Sequence, residues 1–342
     1  MLRFNFKKLF SITAIILAVI LIVFGLSGLF RDGRQLNLDA DQNQESNQEL
    51  VLRHPLNGRV LDQEQFDFFP ISVMIDNSYD LPYSAGVDQA DIVYEALAEA
   101  NITRLLAVFD SQIAVDKIGP VRSARNYFMD WAEEYGGVYM HVGGSPQALS
   151  VINDYDFENI DQIGAGEIYF WRDNNLDAPH NVFTSASNIS RLKEWKNVAT
   201  TSLDFATWNF VETDLLADYI PNFIVNFSSE NYQVTWKYSQ ALNIYQRWRN
   251  QEKQVSDTGE QLQADNVIVQ VIESHLIDQE RRGMDTASGG TAIVYNRFGK
   301  TSGVWKKDNN RTQFFTNEGQ EIPLVPGQTW VEIVDSLDKI IE

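Results

Sequence analysis

The sequence predicts an α/β N-terminal domain followed by a mostly β C-terminal domain, behind one N-terminal transmembrane helix. Three observations predict it. Leu9–Phe30 is almost unbroken apolar sequence. Strand-like and helix-like segments alternate from about residue 53 to 200, the pattern of an α/β domain. After Pro221, short runs rich in β-branched and aromatic residues recur between turn clusters, as in a sandwich or barrel.

The apolar run from Leu9 to Phe30 contains no charge, and a helix of about 20 apolar residues crosses a bilayer. Arg3, Lys7 and Lys8 precede it, whereas Arg31 and Arg34 follow with Asp32 between them. That bias favours a cytoplasmic start. Cleaved signals have shorter apolar cores and a small-residue cleavage site, so the run reads as an uncleaved anchor within residues 1–34. Residues 35–52 are polar, acidic and free of aromatics, as expected of a flexible stalk.

Next comes the α/β part, 53–200. Pro70–Asp76 and Thr103–Asp110 read as strands, the second a continuous apolar run suited to a sheet covered on both faces. The stretch 87–100 reads as a helix. The clearest helix spans 123–135: Phe128, Trp131, Ala132 and Tyr135 share one face and Gly136 follows as a stop. A strand at 138–142 leads into Gly143-Gly144, with Ser145 as N-cap and Pro146 at the first helical position. The last helix lies over 188–195. Residues 201–219 read as a linker. The C-terminal domain, 220–336, has strand candidates at 223–227, 233–238, 243–248, 266–272, 291–295, 302–306, 313–316 and 329–334.

The chain has 342 residues, with 47 acids against 27 Lys and Arg. A net charge of −20 argues against general nucleic-acid binding, which needs cations to displace counterions from phosphate. Cysteine is absent, which excludes disulfides, thiolate metal sites, cysteine nucleophiles and a lipid-modified cysteine. There is no GxSxG, HExxH, GxGxxG or GxxxxGK[ST] motif.

Candidate chemistry gathers in four places. Arg104 opens the second strand, and Arg122 and Arg125 lie three residues apart at the expected start of the 123–135 helix. Cations there oppose the helix dipole, a conflict that a bound anion would remove, unless both arginines pair with acids of this acidic chain. His141, Gly143, Gly144 and Ser145 form a strand, a glycine turn and a helix start, which lets an anion approach backbone N–H groups. The same turn can equally be one that needs glycine for its dihedral angles. Arg172, Asp173, His180 and Asn181 fall in a stretch without periodicity. Asp76 and Asp110 end the two strands and are candidates to hold Mg2+ with phosphate oxygens.

These motifs also carry a resemblance. Ile75-Asp-Asn77, Ala90–Glu95, Ile102–Arg104, Lys117–Arg125, His141–Ser145, Phe170–Asp173 and Ala178–Asn181 are similar to those of the YerB-like family of bacterial lipoprotein-type proteins. Asn266–Gln270, Gly303–Lys306 and Pro326–Trp330 resemble that family's C-terminal module. The resemblance spans about 53–336. It implies an N-terminal module followed by a distinct second one, and it implies no reaction. Without a cysteine, this chain departs from the lipoprotein form and would rely on the 9–30 helix. A fainter similarity joins the 103–110 strand and the 117–125 basic segment to LytR-CpsA-Psr wall-polymer transferases. Those use arginines, and acids with Mg2+, to hold a lipid pyrophosphate.

The expectation is therefore a single-pass membrane protein whose bulk is extracytoplasmic, binding an anionic envelope ligand or an envelope protein through its arginines, with no nucleic-acid partner. Two alternatives stand beside it: a Mg2+-assisted phosphotransferase on lipid-linked glycan, and a structural scaffold docking another envelope protein. No cofactor is required by the first.

Overall fold

The computed structural model describes residues 52–61, 69–165, 167–196, 207–212, 219–308 and 310–342. The expected anchor at 9–30, nearly all of the stalk and most of the linker lie outside these residues. Among the described residues, no helix is long and apolar enough to cross a membrane.

Strands β1 (Pro70–Asp76) and β3 (Thr103–Asp110) form as expected. They pair antiparallel, with Asp76 opposite Arg104 and Pro70 opposite Asp110. Between them in sequence comes β2 (Ile92–Leu97), on the other side of β3. The helix expected over 87–100 is thus mainly a strand. Its Ala, Glu and Leu residues favour helix, but all of β2 is buried, and burial on both sheet faces outweighs weak local propensity.

Helix α1 spans Asn126–Glu133, shorter at its start than the expected 123–135. The residues before it are extended: Arg122 N donates to Met74 O at 2.9 Å, and Val142 N donates to Arg122 O at 3.0 Å. This segment inserts where β1 and β4 (Val138–His141) diverge. Its backbone groups are satisfied as a strand's would be, so the helix cannot begin until Asn126. The chain leaves α1 through two left-handed glycines, Gly136 and Gly137. A Cβ on Gly137 would stand 2.1 Å from Pro70 O, so no other residue fits there. Helix α2 (Pro146–Val151) starts as expected, with Ser145 Oγ accepting from Ala148 N at 3.1 Å. Then come β5 (Glu158–Asp161), α3 (Gln162–Ala165), β6 (Trp171–Arg172), β7 (Val182–Phe183) and α4 (Ala186–Lys196).

The C-terminal part is mostly β. Its strands are β8 (Asn222–Asn226), β9 (Gln233–Ser239), β10 (Ile244–Arg249), β11 (Glu252–Lys253), β12 (Gln263–Ala264), β13 (Asn266–Val271), β14 (Ser274–Leu276) and β15 (Arg282–Met284). They continue with β16 (Gly290–Asn296), β17 (Gly299–Asp308), β18 (Arg311–Thr316), β19 (Thr329–Val334) and β20 (Ile340–Ile341). Each expected strand segment overlaps one of these.

The two parts are joined in one sheet. Ten strands run in the order β18-β17-β16-β13-β19-β2-β3-β1-β4-β5, and β19 lies parallel to β2 with Thr329 opposite Ile92. Period-2 alternation gives the sheet two apolar faces. On one, Met74, Leu106 and Tyr94 pack against Tyr127, Phe128 and Trp131 of α1, and Tyr94 stacks on Trp131 at 5.3 Å. On the other, Val73, Leu105 and Val269 face the second sheet, β11-β10-β9-β8-β20. Phe223 stacks on Tyr295 at 3.9 Å and Trp236 meets Trp330 edge-on at 5.4 Å.

Candidate functional site

At the β3 start, Arg104 is buried and its guanidinium donates to Ser123 O at 2.9 Å and Glu99 Oε1 at 2.7 Å. Arg125, the residue before α1, donates from Nε to Glu99 Oε2 at 3.0 Å and from Nη1 to Ala124 O at 2.6 Å. One carboxylate therefore serves two guanidiniums. Burial pushes the Glu99 carboxyl up, but Arg104 and Arg125 outweigh it and bring its pKa to about 2.

Opposite Arg104 across the strand pair, Asp76 is 2% exposed. Its Oδ2 lies 3.1 Å from Arg122 Nε and 2.5 Å from His180 Nδ1. Its Oδ1 accepts from Ser78 Oγ at 2.8 Å and Ser78 N at 3.0 Å. Burial raises the Asp76 carboxyl, but Arg122, Ser78 and His180 together hold it below its usual value. Burial is the main force lowering the pKa of Arg122 and of Arg125, and Arg104 adds to it in both. The cluster thus holds three guanidiniums against two carboxylates. Arg122 and His180 form its accessible rim, with side chains 19% and 27% exposed.

The aperiodic stretch closes beside this rim. β6 and β7 pair, bringing the Phe170–Asp173 and Ala178–Asn181 motifs together. Arg172 Nη1 donates to Asn181 Oδ1 at 2.8 Å, Asp173 N donates to Asn181 O at 2.8 Å, and Lys117 Nζ donates to Asp173 Oδ2 at 3.0 Å. Arg104, Arg122, Arg125 and His180 therefore converge through Asp76 and Glu99, and Arg172, Asp173 and Asn181 adjoin them through the β6–β7 hairpin.

The glycine turn is built differently. His141 is fully buried, with Nδ1 2.7 Å from Gly143 O and Nε2 2.7 Å from Asn159 Oδ1. The Gly143 N–H donates to Asp161 Oδ1 at 2.8 Å. Gly144 bridges Ala124, and the Ser145 hydroxyl caps α2. These donors are committed within the fold. Asp76 and Asp110 lie at opposite ends of the β1–β3 pair, about 20 Å apart at the usual strand rise, so they cannot share one metal ion. Asp110 Oδ2 instead meets His54 Nε2 at 3.0 Å. Among the described residues no group of three or more His, Asp or Glu side chains is placed to hold a metal.

Two features escaped sequence reading. Glu99 sits in a 3-10 turn between β2 and β3, in a stretch whose composition reads as helix, which hides its pairing with both arginines. Glu95, Glu332 and Arg247 are fully buried between the two sheets, where an alternating pattern calls for apolar residues. Arg247 pairs with Glu95, and its guanidinium lies 4.6 Å from the Trp330 ring centre. Asn77 Nδ2 donates to Glu95 Oε1 at 2.9 Å, and Trp236 Nε1 to Glu332 Oε1 at 2.7 Å.

The Glu99 bridge predicts acid sensitivity. A carboxyl depressed in the folded state adds stability above its unfolded pKa, and that stability is lost as pH falls through the folded value. Urea midpoints should therefore drop between about pH 4.5 and pH 2. Glu99 is partly exposed, which limits its share to about 1–2 kcal/mol. Glu99→Gln should be less stable at pH 6 and show a flatter acid limb; an unaltered acid limb would contradict the bridge.

A mixed sheet with α1 and α2 on one face and α4 and a second β-layer on the other, carrying an arginine-rich rim at its strand ends, defines a bimodular α/β protein. The chain belongs to a particular family of such proteins. Residues 56–199 match the family model "Protein of unknown function (DUF3048) N-terminal domain" and residues 223–331 match its C-terminal domain. It is 31% identical over 297 residues to "Putative lipoprotein YerB" of Bacillus subtilis (strain 168), covering 84% of this chain and 87% of that protein. It is also similar to the crystal structure of the YerB protein from Bacillus subtilis, with a TM-score of 0.74 and 30% identity over 85% of this chain and 99% of that one.

Proposed function

We propose that the protein is a membrane-tethered, extracytoplasmic envelope protein that binds an anionic ligand at the Arg122–His180 rim. The carrying observation is the uneven pairing: Glu99 serves Arg104 and Arg125, and Asp76 serves Arg122 and His180. A surplus guanidinium in a chain of net charge −20 favours an anion with several acceptor oxygens. Arg172 and Lys117 border the same rim. The apolar 9–30 segment and the similarity to YerB support the envelope location. The scaffold reading keeps support from the same ion pairs, since each arginine already has a local acid. Mg2+-assisted phosphotransfer has less, because Asp76 is neutralised by its cationic partners and Asp110 stands at the far strand end.

The test titrates the full chain in detergent with pyrophosphate by calorimetry. Binding should be lost in Arg172→Gln and in His180→Gln, both at half-exposed or exposed positions. Binding that survives both changes, or no heat at millimolar pyrophosphate, would remove the anion-site reading and leave the scaffold. An alkaline phosphatase fusion after Glu342 should be active in cells; an inactive one would overturn the location.

A further inference from the structure

A separate cavity lies on the other side of the loop that follows Asp76. Its volume is about 190 Å3, and its walls come from the 79–83 loop and the β10–β11 hairpin, with Asn231 closing one end. It is smaller than the pockets of about 300–1,000 Å3 that enclose drug-sized molecules, a size suited to one saccharide ring.

Its cations outnumber its acids, Arg249 and Lys253 against Glu252. Arg249, half-buried on this wall, donates from Nη1 to Asn77 O at 2.9 Å and Asn77 Oδ1 at 2.8 Å, and from Nη2 to Ser78 O at 3.5 Å. Among the described residues, all of these partners are neutral, and no carboxylate lies within ion-pair distance. Lys253, also lining the cavity, follows Glu252 in the chain and has its Nζ 5.7 Å from the Trp248 ring centre. The hydrogen bonds fix the guanidinium in place, so it meets an anion without further ordering.

Its aromatic rings are equally specific. Tyr79 is 58% exposed yet held, with its N–H donating to Tyr232 Oη at 3.3 Å and its ring edge-on to the Tyr232 ring at 6.3 Å. Tyr83 is fixed by Lys117 Nζ, which donates to its hydroxyl at 3.2 Å. Rigid amphipathic rings beside amide groups suit a ring-shaped ligand with one apolar face and hydroxyls at its edge. Glu252, Asn231 and Gln254 supply acceptors and donors for those hydroxyls.

We infer that this cavity binds an acidic saccharide, its carboxylate at Arg249 and Lys253 and its ring against Tyr79. The site is distinct from the Arg122–His180 rim and does not depend on it.

The test uses the full chain in detergent and three probes: trigalacturonic acid, its methyl ester, and acetate. The acid trimer should bind, the neutral ester should bind about tenfold more weakly or worse, and acetate should not compete at equal concentration. Tyr79→Ala and Lys253→Gln, both at exposed positions, should each weaken the acid trimer by about tenfold with unchanged circular dichroism. Arg122→Gln should leave this binding intact. Equal binding of acid and ester would overturn the carboxylate role. Acetate competing as well as the trimer, or Tyr79→Ala without effect, would overturn the saccharide. No binding of the acid trimer at millimolar concentration would overturn the site.

Discussion

Arg247→Met is expected to cost about 3–5 kcal/mol, because it strands buried carboxyls without their cation. Arg247, Glu95 and Glu332 are all fully buried between the two sheets. Glu332 lies directly opposite Glu95 in the parallel β19–β2 pair, so two acids and one base share a space that water does not reach. Burial, with the adjoining Glu95, pushes the Glu332 carboxyl well up. A neutral Glu332 beside the Glu95–Arg247 ion pair is the arrangement that balances charge. Removing Arg247 leaves Glu95 with the hydrogen bond from Asn77 Nδ2. The melting temperature should fall on the order of 10 °C, given the usual few degrees per kcal/mol for a unit of this size. A loss below about 1 kcal/mol would show that the carboxyls do not need the guanidinium. Glu332→Gln separates charge from packing. A carboxyl raised in the folded state contributes stability that is complete below its unfolded pKa, about 4.3, and is lost as pH rises through its folded value. Glutamine stays neutral throughout, so the variant should match or exceed the parent at pH 8 and lose that decline. A parent whose stability does not fall above pH 5 would contradict a protonated Glu332.

The double change of Arg122 and Arg125 to Gln is expected to cost about 2–4 kcal/mol, since it removes the Arg122–Asp76 ion pair and the charged hydrogen bond from Arg125 to Glu99, the latter worth about 1.5–3 kcal/mol. The sequence alone leaves two outcomes open, a cost if the arginines pair with buried acids and none if they serve an anion. With both arginines on the first turn of a free helix, their removal would relieve repulsion and leave stability unchanged or higher. In the structure Arg122 precedes the helix and pairs with Asp76, and Arg125 pairs with Glu99. The loss stays short of a fully stranded ion because Asp76 keeps Ser78 and His180, and Glu99 keeps Arg104. Chemical denaturation at pH 7 measures it. Stability unchanged within about 0.5 kcal/mol would show that the pairs contribute nothing and that both arginines are held for a ligand alone.

The sequence by itself determined the elements whose burial follows one rule. Pro70–Asp76 and Thr103–Asp110 were legible because continuous apolar runs suit a sheet covered on both faces. The C-terminal strands were legible because β-branched and aromatic runs stood between turn residues. Ser145 and Pro146 announced α2 through their capping chemistry, which is local. The arginines were visible as residues, but their partners were not. Glu99 follows a segment whose composition favours helix, and only the neighbouring strands β3 and β19 make it extended. Pairing between distant segments also decided that β19 joins β2, uniting both parts of the chain in one sheet. It alone placed Glu95, Glu332 and Arg247 together, from residues 237 positions apart at the extremes. Local composition encodes propensity and period, whereas the environment of a buried charge depends on which far strand lies beside it, and no window of sequence contains that strand.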